Sequence, residues 1–225
     1  MAERRRRQSE SVAGLSKQRL VHEAIRIADR EGVHGLSMRR LASELGAGAM
    51  SLYHYVASRD ELLDAMVDVV FDEIELLPEG VEWRTALREQ ALSTRQALAR
   101  HPWAISLMES RVTPGPASMR HREAFTACLR RAGFSVSMAT HANWLINSYV
   151  YGHALQEATL PFDSAEEFAE MTEAVYLPQL PPEQYPYLAE SAAVLAADQY
   201  DPGTEFAFGL DVILAALEPL RAAAD

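Results

Sequence analysis

Between Arg39 and Arg59 the chain concentrates the side chains best suited to contact a nucleic-acid duplex. Arg39 and Arg59 offer cations to phosphate. Tyr53 and Tyr55 can donate hydroxyls to phosphate while their rings pack, and Ser51 can bond phosphate or a base edge. Ala49, Met50 and His54 complete a face of small, flexible and polar groups. Reading base edges with such a face requires one helix, because the major groove of DNA admits one.

The neighbouring residues supply that helix and its support. Met38, Leu41, Ala42 and Leu45 recur at i, i+3, i+4 and i+7, which predicts a short helix with one apolar face after a Ser37 cap. Gly46-Ala47-Gly48 breaks it with two residues free to take positive φ. A second helix over 49–56 buries Leu52 and Val56 and turns the contact residues outward. Two turns of helix are not stable alone, so the first helix must hold the second. This is a helix-turn-helix pattern. An earlier helix, from a Ser16 cap to about Glu31, carries Leu20, Val21, Ala24, Ile25 and Ala28 to pack beneath the pair. Ser58-Arg59-Asp60-Glu61 reads as a capping box that opens a long helix over 59–76. A cation at position 59 opposes the helix macrodipole, a cost that binding a DNA phosphate would explain.

Charge supports the same division. Residues 1–60 hold eleven Lys/Arg against seven Asp/Glu, and the remainder holds ten against twenty-five, which sums to the net −11. A basic head on an acidic body confines attraction for DNA to one end. Residues 1–15 form a flexible basic arm, and Arg4–Arg7 there fit either a solvated tail or a minor-groove and phosphate contact. The lone Cys128 allows no internal disulfide and reads as a packed thiol. No apolar run approaches a membrane span and no signal peptide is present, so a cytoplasmic protein is expected.

The rest of the chain reads as helices, over 82–100, from 103 to about 110, 117–132, 136–158, 164–175, 187–197 and 204–223, with no strand. The expected architecture is all-α, with a helix-turn-helix head at 16–62 and a helical regulatory, ligand-binding and dimerisation domain at 63–225. Within that body Trp103, Met108, Phe125, Trp144 and Tyr151 are candidate walls of a mostly apolar pocket, and His141 and Gln156 are candidate polar contacts. Core packing or a subunit interface explains any one of them equally well. His153 and Glu157, one turn apart, are too few for a metal site, and no metal or cofactor is expected. An all-α enzyme using His141, His153 and Glu157 is the remote alternative, since no nucleophile elbow or phosphate loop accompanies them.

Leu45-Gly46, Ser51-Leu52-Tyr53-His54-Tyr55-Val56 and Ser58-Arg59-Asp60-Glu61-Leu62 together resemble the TetR family of bacterial transcriptional regulators. Arg59 stands where that family usually has Lys, Val56 where it often has Phe, and Gly48 where a polar N-cap is common. The segment from Leu76-Leu77-Pro78 through Trp83 to His101-Pro102 is similar to the tetracycline-repressor type of body. Glu75 and Met108 stand where two drug-chelate histidines of those repressors would be, which argues against that chelate. The resemblance implies a homodimer through about 136–158 and 204–223, a palindromic operator in double-stranded DNA, and release by a small hydrophobic or aromatic effector. An activator, or a regulator answering a partner protein, is the alternative.

Overall fold

The computed structural model describes residues 15–78, 80–162, 164–197 and 200–221. The Arg4–Arg7 arm lies outside the described residues. Every regular element among them is helical. The head comprises α1 (Lys17–Gly35), α2 (Met38–Glu44) and α3 (Ala49–Leu52), followed by the connecting helix α4 (Arg59–Asp72). The body adds α5 (Trp83–Arg100), α6 (Pro116–Arg131), α7 (Val136–Glu157), α8 (Ala165–Met171), α9 (Pro186–Ala197) and α10 (Pro202–Leu217).

Short polar side chains set the helix starts. Ser16, Ser37, Ser58 and Ser135 each accept the backbone N–H three residues on, so an orphan donor is satisfied at each N-terminus. Gly32, at φ 72°, ends the regular part of α1, the stop its position predicts. Gly46 alone of the turn glycines uses positive φ, at 63°. Gly48 is the N-cap of α3 with extended backbone and no side-chain cap bond.

Several boundaries differ from the sequence reading. α3 is regular only over Ala49–Leu52, and tighter turns continue it, with Tyr55 and Val56 donating to the Leu52 carbonyl. The missing side-chain cap leaves its first turn with little to enforce it. α4 ends at Asp72 rather than 76, where Glu73 caps it. After Pro102–Ala104, a 3-10 turn, residues 105–110 form successive turns instead of a helix. α10 stops at Leu217 and a 3-10 turn, Glu218–Leu220, follows.

One core runs through the molecule. α4 buries Leu62, Leu63, Met66, Val67, Val70 and Phe71, joining the head core of Leu20, Ile27, Leu41 and Leu52 to the body core of Leu87, Leu98, Leu129 and Phe134. Each such side chain stabilises the fold by roughly 1.5–3 kcal/mol of transfer free energy. α7 and α10 pack closely because Gly209 leaves room for Tyr149, whose ring stacks on Phe206 and whose hydroxyl donates to the Phe206 carbonyl at 2.9 Å. Their outer faces leave Trp144, Leu145, Leu155, Phe208 and Val212 exposed.

Candidate nucleic-acid interface and effector cavity

The reading surface is built on buried anchors. Leu41, Ala42, Leu45, Leu52 and Val56 are buried, which fixes α2 and α3 against each other and against α1. Met50 is then 78% exposed and Tyr53 43%, with His54 exposed beside them. Ala49 and Tyr55 are half-buried and pack against the core, Tyr55 keeping only part of its surface outward. The Ser51 hydroxyl donates to the Gly48 carbonyl at 2.6 Å, an internal bond that a base or phosphate contact must share or displace.

The two arginines of α2 divide their work. Arg40 pairs with Glu31 at 3.1 Å and Glu44 at 2.9 Å, so its charge is largely neutralised. Arg39 is exposed and has no ion pair among the described residues, leaving its charge available for phosphate. Arg59 already has partners within the protein. Its guanidinium donates to the Val33 carbonyl at 3.1 Å and the Leu36 carbonyl at 3.4 Å, binding the start of α4 to the link between α1 and α2. These carbonyls account for a cation at a helix start without any phosphate. The same end is tied by Glu61, which accepts from Lys17 Nζ at 2.6 Å and from the Ala57 N–H at 2.6 Å. Those bonds hold the Glu61 carboxyl below the usual range, the Lys17 bond most strongly.

The body holds a partly open cavity of about 40 Å³ between α4, α5, α6 and α7. Apolar walls come from Phe71, Ile74, Leu87, Phe125, Ile146 and Val150, and Tyr151 lines it too. Polar groups converge from several helices: Gln90 and Thr94 of α5, His121 and Arg122 of α6, and Asn143 and Asn147 of α7. At this volume it holds a few water molecules, not a ring system, so a larger guest must separate its walls. Glu109 accepts from Arg122 at 3.1 Å and from the Tyr151 hydroxyl at 3.4 Å, linking α6 and α7 at the cavity edge. Burial, then the Glu109 charge, raises the Tyr151 phenol far above its ordinary range, so it stays a neutral donor.

His121 lies between cavity and connecting helix. Its Nδ1 meets Gln90 Nε2 at 3.2 Å, its ring sits 5.9 Å from that of Phe71, and it hydrogen-bonds the Phe71 backbone. Burial lowers its pKa and keeps the ring neutral, so Nδ1 can accept from Gln90. A larger guest here would meet α4 at Phe71 and the segment after it at Ile74.

Of the expected pocket residues, Phe125 and Tyr151 line this cavity. The others do not. Trp103 is buried at the junction of head and body, where Nε1 donates to Asp29 Oδ1 at 2.7 Å. Met108 is buried in the core without lining the cavity. Trp144, 63% exposed, and His141 face outward from α7, and exposed Gln156 lines a separate surface cleft with His153 and Glu157. Helix periodicity accounts for part of this: 143, 146, 147 and 150 share the inner face and 141 lies opposite, while 144 and 151, seven residues apart, sit together at the edge, where Tyr151 reaches the cavity and Trp144 stays exposed. The sequence reading missed Gln90, His121, Asn143 and Asn147. For Gln90 a signal existed, since it shares a face with Leu87, Ala91 and Thr94. Glu157 is held by Arg95 at 2.5 and 2.9 Å and lies 3.8 Å from His153 Nδ1, so it serves as an ion-pair partner between α5 and α7.

A helix-turn-helix head joined by one continuous helix to a cavity-bearing helical body defines a DNA-binding regulator with a sensor domain. Residues 20–66 match the description "Bacterial regulatory proteins, tetR family", and residues 77–221 match "Tetracyclin repressor-like, C-terminal domain". The transcriptional repressor DrrR1 of Streptomyces coeruleorubidus is 38% identical over 216 residues, covering 92% of this chain and 79% of that protein. The class A tetracycline repressor of transposon 1721 from Escherichia coli is 29% identical, covering 92% of each. Among solved structures, ActR of Streptomyces coelicolor in complex with actinorhodin superposes with a TM-score of 0.77 at 33% identity, covering 93% of this chain and 99% of that one. The chain therefore belongs to the tetR family of bacterial regulatory proteins, and it is a ligand-responsive, DNA-binding transcriptional repressor. No helix among the described residues is long and apolar enough to cross a membrane.

Proposed function

We propose that two copies of this chain bind a palindromic operator through α3 and that a planar, oxygen-bearing polycyclic aromatic compound, entering the cavity between α4 and α7, releases them. The cavity carries this reading: aromatic rings of Phe71, Phe125 and Tyr151 suit a flat apolar body, and Gln90, Asn143 and Asn147 suit carbonyl and hydroxyl substituents. Structural neighbours hold such compounds, actinorhodin in ActR and minocycline in a TetR variant from Acinetobacter baumannii. Arg39, Met50, Tyr53 and His54 contact DNA on this reading, while Arg59 positions the head from within. Head and body divide near the middle of α4.

Dimerisation uses the exposed strip of Trp144, Leu145, Phe208 and Val212 on α7 and α10. A two-fold axis through that strip places two heads on the two halves of a palindrome. The chain performs no catalysis and acts in the cytoplasm, where operator DNA is reached. The effector works only by favouring the head spacing that does not fit the operator.

The test is selection of bound duplexes from a random pool, followed by titration of the selected duplex complex with actinorhodin or minocycline. Enrichment of a palindrome and release by either compound supports the reading. Failure to enrich any sequence, or equal loss of all binding as salt rises, sinks operator recognition.

A further inference from the structure

Five side chains, from α1, α4, α5 and the turn that follows α5, meet at the junction of head and body. His101, at the C-terminal cap of α5, is 7% exposed. Its Nδ1 lies 2.7 Å from Asp29 Oδ1 on α1, and its Nε2 lies 3.2 and 3.3 Å from the carboxylate oxygens of Glu73 at the end of α4. Trp103 Nε1 reaches the same Asp29 oxygen at 2.7 Å, and Arg100 donates to Glu73 at 2.9 and 3.2 Å. The charged groups facing the ring are therefore Asp29 from α1, Glu73 from α4 and Arg100 from its own helix.

A carboxylate only accepts, and a neutral imidazole has one N–H and one lone pair. With carboxylates at both nitrogens, a neutral ring turns a lone pair toward one of them. Only the imidazolium donates to both, and it balances two carboxylates with Arg100. The arrangement spans three elements whose relative position sets where α3 lies: the head helix α1, the connecting helix α4 and the body helix α5. The other end of α1 is tied separately, by Lys17 and Glu61.

We propose that His101, as an imidazolium, is a positioning residue for operator binding: it locks α1 and α4 to the body, and loss of its proton loosens the head. The inference rests on the operator-binding reading and adds to it a proton as a second input beside the effector.

The experiment uses the full chain and a duplex that the wild type selects from a random pool. Affinity is measured at constant ionic strength from about pH 6 to about pH 8.5, the range in which histidines change charge. The head carries other histidines, so the readout is the difference between wild type and variants. His101→Gln keeps a polar side chain without the switchable charge. Asp29→Asn keeps an acceptor for Trp103 and for the ring but removes one carboxylate. Wild-type affinity is expected to fall about tenfold further across the range than that of His101→Gln, the loss of one charge-assisted bond. Asp29→Asn is expected to bind more weakly at the acid end and to respond less to pH. Parallel profiles for all three proteins would overturn the proposal.

A second readout needs no DNA. In long-range proton–nitrogen correlation spectra, both ring nitrogens of His101 are expected to be protonated at the acid end while the fold is native. A single neutral tautomer throughout would also overturn the lock, and this measurement decides the matter if His101→Gln does not fold. Failure to select any duplex would instead sink the operator reading, with the spectra still reporting whether the lock exists.

Discussion

The reading head and the effector cavity are built in opposite ways. The described side chains proposed to face DNA come from one short stretch, Arg39 to His54, anchored by near neighbours such as Leu41 and Leu52. The cavity draws Phe71, Gln90, His121, Asn147 and Tyr151 from four helices spread along the body. A local site is specified by periodicity and turns. A dispersed one is specified by how helices cross, so each of its residues looks like ordinary core or surface in the sequence.

The comparison is broken most strongly at the anchors. Leu52→Ala removes a fully buried side chain and is expected to destabilise the protein by roughly 2–5 kcal/mol, with operator binding lost alongside. Denaturant unfolding measures it, and a change near zero would mean α3 is not held as described. At the reading surface, Arg39→Ala is expected to weaken operator binding about tenfold and to reduce the salt dependence by about one unit of slope. Arg59→Ala separates the two roles open to that residue. Bonded to the Val33 and Leu36 carbonyls, its loss lowers stability and leaves the salt slope unchanged; a slope lowered as for Arg39 would restore a phosphate contact.

Asn147→Leu tests the cavity. It is expected to raise the effector concentration needed for release by about tenfold, with operator affinity unchanged, because a polar group matched to the guest is lost. Equal effector response would place the guest elsewhere. One rival is the open groove of about 820 Å³ lined by Leu76, Val81, Trp83 and Met119. His121 adds a pH signature. Burial depresses its folded pKa below the unfolded value, so its contribution to stability is present above the unfolded pKa and lost as pH falls through the folded one. His121→Asn should therefore lose less stability on mild acidification than wild type, as followed by melting temperature. His153, depressed first by its own burial, acts in the same direction and leaves part of the acid sensitivity in that variant. The smallest expected effect is at the turn. A side chain at Gly48 meets nothing within 4 Å, so Gly48→Ser should cap α3 and stabilise the head by a few tenths of a kcal/mol, about the ordinary Gly-to-Ser difference at an N-cap.

The helical class, the caps at Ser16, Ser37 and Ser58, the stop at Gly32 and the exposed face of Met50, Tyr53 and His54 were legible in the sequence. Each depends on residues within a few positions of one another, where backbone geometry leaves little choice. Tertiary structure alone decided which edge residue of α7 reaches the cavity. Trp144 and Tyr151 lie seven residues apart on one edge of that helix, so Trp144 looked as much like a pocket wall as Tyr151, and only contacts with α5 and α6 separated them. The same holds for Arg59 on two distant carbonyls and His101 between Asp29 and Glu73. A side chain's chemistry is written in its type, but its partner is chosen by packing, and packing brings together residues that the sequence keeps far apart.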